Sequence, residues 1–127
     1  KHMTNGKKIN NRRIGTDHET LAAAYLEKQG VTIIERNFRC RQGEADIIGY
    51  DEHCYLFIEV KYRRNNEKGS PAEAVNYRKQ LKICKVADFY RISRKISAAA
   101  QIRFDVIAIQ NDTIIWHKNA FYYIGSL

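Results

Sequence analysis

Apolar and polar residues alternate along this chain at two periods, near 3.6 and near 2, and each change of period marks a new element. Thr16 and Glu19 have the spacing of a reciprocal helix cap, with Leu21, Ala24 and Tyr25 following and Gly30 terminating, so a first helix is expected from about Thr16. Val31, Ile33, Ile34 and Phe38 then suggest a strand, and two more are expected at about 44–50 and 54–63, with Asp51, Glu52 and His53 turning between them.

Ser70, Pro71 and Glu73 combine a cap, a first-turn proline and a capping-box acid, which predicts a second helix running to about Tyr90. Its inward stripe reads Tyr77, Gln80, Ile83, Cys84, Ala87 and Tyr90, with Arg78, Lys79, Lys82 and Lys85 mostly off it. A hairpin over 102–109 and 113–117, turning at Asn111 and Asp112, closes the pattern. The order is helix, three strands, helix, two strands: an α/β chain with a central mixed sheet flanked by helices. Passing from strand to strand through the second helix makes that pair parallel.

The period-two rule also builds a site. Within Leu56, Phe57, Ile58, Glu59, Val60 and Lys61, Glu59 and Lys61 share one strand face, and Glu44 and Asp46 share a face of the strand before. If Tyr50 pairs with Tyr55, Asp46 falls opposite Glu59 and Glu44 opposite Lys61. Facing carboxylates repel unless a proton or a cation lies between them. A divalent metal is the economical answer: magnesium takes oxygen ligands, keeps several waters and is commonly held by one or two carboxylates plus substrate phosphate. Lys61 would then face the reaction, orienting water or stabilising charge at phosphorus. The plain alternative, a half-exposed charged strand face, does not account for charges clustered within strands rich in Ile, Leu, Phe and Val.

Glu19 has two readings, a capping residue or a completing metal ligand, because Ala22, Ala23 and Leu26 share its side of the helix. Gln80 is either a satisfied buried amide or a contact to phosphate or water. Arg63 and Arg64, with Lys68 and Gly69 beyond, continue the third strand toward a backbone groove, unless they are a solvated charge run. His18, His53 and His117 are scattered and receive neither metal nor general-base duty.

Composition narrows the partners. With 127 residues and 44% apolar content the chain suits one core. Twenty-two Lys and Arg against 14 Asp and Glu leave a formal charge of +8, which favours a polyanion. Nucleic acid fits, DNA ahead of RNA, although charge alone suits ribosomal RNA or anionic lipid equally. Lys1 and His2 before Met3 read as a cloning remnant, and residues 1–12, with Lys7, Lys8 and Arg12, as a flexible basic arm ahead of a single domain over 13–127. Cys40, Cys54 and Cys84 lack the short paired spacing of zinc or redox sites and read as reduced core residues. There is no membrane-length apolar run and no signal-like segment, so a cytoplasmic protein without a membrane partner is expected.

Gly43, Glu44, Ala45 and Asp46, then Phe57, Ile58, Glu59, Val60 and Lys61, resemble the PD-(D/E)xK nuclease superfamily. The proline of that name is absent, and the likeness rests on the second-strand acid and the Glu-x-Lys of the third. More widely, residues 13–124 resemble the YraN-like family of small bacterial proteins. The likeness runs through Glu19 and its Ala-rich helix, Asn37 with Arg39, Pro71, Ala74, Lys79 and Gln80, Arg103 to Val106, and Asn119 to Phe121. Ala45 and Tyr62 stand where that family often has Ile or Leu and Thr.

The resemblance implies a restriction-endonuclease-like αβββαβ core with an extra C-terminal strand. By similarity to Holliday-junction resolvases it implies Asp46, Glu59 and Lys61 as catalytic residues and Glu19, Asp46 and Glu59 as ligands of magnesium or manganese. Glu44, Arg63, Lys79 and Gln80 would support them or contact nucleic acid. The implied activity is cleavage of phosphodiester bonds in DNA, branched or damaged; the rival is a noncatalytic nucleic-acid-binding accessory protein with a vestigial site. Resolvase-like enzymes commonly act as homodimers, although no heptad or other interface pattern is visible here.

Overall fold

The computed structural model describes residues 11–63 and 75–125. The expected basic arm through residue 10, the Ser70, Pro71 and Glu73 cap, and Arg64, Lys68 and Gly69 lie outside them. Helix α1 spans Asn11–Lys28, so Thr16 is an interior helical residue and not the cap. The residues before it are ordinary helix formers apart from Gly15, whose cost of about 1 kcal/mol does not stop the helix. The other end is as expected. Gly30 takes φ +98°, its N–H donates to the Glu27 carbonyl, and the Val31 N–H reaches back to Leu26. This Schellman closure buries Leu26 and Val31 in one cluster.

Strands β1 (Thr32–Cys40), β2 (Gly43–Asp51) and β3 (Cys54–Arg63) are followed by helix α2 (Tyr77–Ser93) and strands β4 (Gln101–Gln110) and β5 (Thr113–Phe121). They form one five-stranded sheet in the order β1-β2-β3-β4-β5. All neighbours are antiparallel except β3 and β4, which the crossing through α2 makes parallel. The αβββαβ order with an added C-terminal strand is therefore the one expected.

Each helix covers one face. Ala22 and Leu26 of α1 pack on Ile47, Leu56, Ile58, Ile107 and Ile109. Ile83, Cys84, Ala87 and Tyr90 of α2 pack on Ile48, Phe57, Phe104 and Val106. The central strands are thus buried on both sides, which is why Leu56 to Ile58 and Phe104 to Ile109 hardly alternate. Each such apolar side chain contributes roughly 1.5–3 kcal/mol.

Helix α2 begins later than Ser70. Asn76 is its cap, accepting the Lys79 N–H at 2.9 Å, behind a fully buried Val75. Tyr77 is consequently 63% exposed and not part of the inward stripe, which instead includes Val86. The three cysteines are free, Cys54 and Cys84 buried and Cys40 half-buried. Among the described residues no helix is long and apolar enough to cross a membrane.

One irregularity in the sheet is held by a buried acid. The β4–β5 register shifts between Phe104 and Val106, and Asp105, at that point, is wholly buried. Its carboxylate accepts two bonds from Arg103, at 2.9 and 2.8 Å, one from Trp116 Nε1 at 2.8 Å and one from the Asn119 N–H at 2.8 Å.

Candidate active site

Strands β2 and β3 pair from Asp51 with Cys54 to Ile47 with Ile58, and Tyr50 faces Tyr55 as the sequence suggests. The ladder ends there. Ala45 and Ile48 belong to the core under α2 whereas Ile47 belongs to the core under α1, so alternation slips by one residue at Asp46. On β1, Asn37 lies between the rungs to Ile47 and Ala45 and adopts φ +55°, a left-handed conformation that Asn tolerates. Asp46 is therefore not the ladder partner of Glu59. Its Oδ2 instead accepts the Val60 N–H at 2.8 Å. Nor is Glu44 paired with Lys61; it is drawn to Arg39 at 3.3 Å on the surface.

Where the ladder ends, a cavity of about 550 Å³ opens, lined by Glu19 from α1, Asp46 from β2, Glu59 from β3 and Lys79 from α2. Glu44, Asn76, Arg78 and Lys82 also line it. The slip at Asp46 lets a residue of α1 meet residues facing α2. Glu59 is 7% exposed and lies 3.3 Å from the Lys79 ammonium. Lys61 is half-buried and bonds Lys79 instead of lining the cavity. Gln80 donates to the Val75 carbonyl at 2.8 Å, which makes its amide a tie within the start of α2. Arg63 lies half-buried at the end of β3.

The charges in this cluster answer one another incompletely. Burial first, then the Asp46 charge and a bond to Asp46, push the Glu59 carboxyl up to about 8 against the pull of Lys79 and Lys61. Glu59, in contact with Asp46, thus retains its proton well into the neutral range. Burial and the neighbouring Lys79 lower Lys61. Burial alone would lower Lys79 as well, but its bond to Lys61 and the Glu59 carboxylate reverse this and hold it up. Glu19 is raised by burial and by Asp46, moderated by a bond to Asn37 and the charge of Arg36. Its Oε1 is buried without a hydrogen-bond partner.

Among the described residues no three acidic, histidine or cysteine side chains already converge as a ligand set. The donors nonetheless suit a hard cation. Asp46 and Glu59 supply two carboxylates in contact, and Glu19, one of whose oxygens is unanswered, lines the same cavity, with room for retained waters.

The sequence singled out Glu19, Glu44, Asp46, Glu59 and Lys61 as candidates but gave Asn37 and Asn76 no role. Asn37 carried a signal in being one of the few residue types that readily adopts the left-handed region. Arg78 and Lys82 were visible as basic positions off the apolar stripe of α2, without a sign that they border the carboxylates.

The profile of the uncharacterised protein family UPF0102 matches residues 18–109, a stretch that includes Glu19, Asp46, Glu59, Lys61 and Lys79 and ends before β5. A UPF0102 protein of Clostridium botulinum (strain 657 / Type Ba4) is 47% identical over 117 residues, covering 87% of this chain and 95% of that protein. A UPF0102 protein of Lachnoclostridium phytofermentans is 42% identical over 118 residues, covering 93% of this chain and 100% of its own length. One from Photobacterium profundum is 42% identical over 114 residues, covering 87% and 91%.

Proposed function

This chain belongs to the uncharacterised protein family UPF0102, and we propose that it is a magnesium- or manganese-dependent endonuclease that cleaves phosphodiester bonds in DNA, branched or damaged DNA included. The observation that carries the reading is the contact between the Asp46 and Glu59 carboxylates in an open cavity bordered by lysine. Two acids in contact, one buried, are unfavourable for folding and are explained by a cation that the folded protein is built to receive.

Asp46 and Glu59 would hold the metal, with Glu19 completing the set; when bound, it would polarise the scissile phosphate and lower the pKa of a coordinated water. The chain's own residues do the rest. The Val60 N–H fixes one oxygen of Asp46 and so orients that carboxylate. Lys79, with Lys61 behind it holding its ammonium in place, puts positive charge where the pentavalent phosphate would develop negative charge. Arg78 and Lys82, on the wall formed by α2, offer contacts to flanking phosphates.

The test is incubation with labelled single-stranded, duplex and four-way-junction DNA, with magnesium, manganese or EDTA, alongside Glu59→Ala and Lys61→Ala. Metal-dependent cuts are expected, reduced by about 10²–10³-fold in Glu59→Ala while DNA binding is largely kept. Binding without any cleavage, unchanged in both variants, would instead identify a noncatalytic accessory protein.

A further inference from the structure

Helix α1 and strand β3 also meet through an aromatic pair. The rings of His18 and Tyr62 are stacked, with centroids 4.1 Å apart and planes 12° from parallel. The pair borders the cavity through its neighbours: His18 precedes Glu19, and Tyr62 shares a face of β3 with Val60, both of which line it. The pair is not core packing, because Tyr62 is 44% exposed and His18 only half-buried.

An aromatic ring held by a second ring and still open to solvent loses little rotamer freedom when a third planar group joins the stack. Arg63, the next residue of β3, adds positive charge on the same stretch of chain. DNA bases are such planar groups, but within a duplex both faces of each base are already covered by its neighbours. Only an unpaired or extruded base has a face to offer.

We propose that His18 and Tyr62 form a stacking platform for an unpaired base of a DNA strand whose backbone enters the adjacent cavity. The substrate is then DNA with an unpaired nucleotide close to the scissile phosphate. This rests on the nuclease reading and specifies its substrate. Tyr62 carries the contact, and His18 is a positioning residue that holds the ring in place.

The experiment compares two DNAs in EDTA, where cleavage does not interfere: a duplex with one unpaired fluorescent purine analogue, and the same duplex fully paired. Wild-type protein is expected to bind the unpaired form roughly tenfold more tightly, the worth of one base–aromatic stack, and to quench the analogue. Tyr62→Ala should lose both effects while binding the paired duplex as wild type does, Tyr62→Phe should keep both, and His18→Ala should weaken the quenching. Equal wild-type affinity for the two DNAs, or a preference that survives in folded Tyr62→Ala, overturns the platform. The nuclease reading is judged separately, by metal-dependent cleavage of the same two DNAs. Absence of DNA binding even at low salt would overturn both.

Discussion

Asp105 and Glu59 are buried carboxylates on neighbouring strands of one sheet, 0% and 7% exposed, and their surroundings differ in every respect that matters to a negative charge. Asp105 faces donors only: a two-pronged guanidinium, an indole N–H and a peptide N–H. Glu59 faces one ammonium at 3.3 Å and a second carboxylate. The first arrangement satisfies an ion and leaves nothing over, whereas the second holds acidity that the fold alone does not neutralise. Burial of a charge is therefore no sign of chemistry by itself; an inventory of the donors around it separates a structural acid from a candidate reactive one.

Removing each acid should sharpen this contrast. Asp105→Ala leaves Arg103, a quarter exposed, without its partner and the β4–β5 irregularity without its anchor. A loss of about 3–5 kcal/mol is expected in urea unfolding. A loss below about 1 kcal/mol would mean that the network is ornamental to the fold.

Glu59→Gln should act in the opposite direction and only at higher pH. Glu59 binds its proton more tightly folded, at about 8, than at its ordinary 4.5. Its stabilising contribution is thus full below about 4.5 and is lost as pH rises through 8. In metal-free protein the variant should gain on wild type across this window, reaching an advantage on the order of 2–4 kcal/mol. A stability difference that does not change with pH would refute the strained-pair account.

The smallest effect expected is that of the metal. Above pH 8, where Glu59 is ionised, manganese or magnesium at tenfold over its Kd should stabilise wild type by about 1.4 kcal/mol, read as a rise in Tm. Glu59→Gln should show little of this rise. An equal rise in both proteins would move the cation to another place on the surface.

These two acids also show what periodicity can convey. The strand pattern placed Glu59 and Lys61 on one face, and the Tyr50–Tyr55 pairing assumed in building the site is the one the sheet adopts. The pattern could not convey the slip at Asp46, because a one-residue shift depends on Asn37 of β1 and on a side chain capturing the Val60 N–H. Asp105 was likewise opaque, since its partners lie up to 14 residues away and meet only when β4 and β5 pair. At α2 the cap is Asn76, behind the buried Val75 and accepting from Lys79, a position that carried no signal as strong as Ser70 with Pro71, which lie outside the described residues. Tyr77 is the first residue of α2 and lies exposed, while Ile83, Cys84, Ala87 and Tyr90 point inward as the stripe predicts.

The bond from Val60 to Asp46 replaces a rung of the sheet with a side chain. One backbone amide in the middle of the molecule is thus wired to an acid, and its proton resonance and its exchange with solvent will follow whatever that acid is doing. The protein carries its own indicator, readable by NMR without a label, for the moment when the Asp46 oxygens turn from the peptide toward a guest.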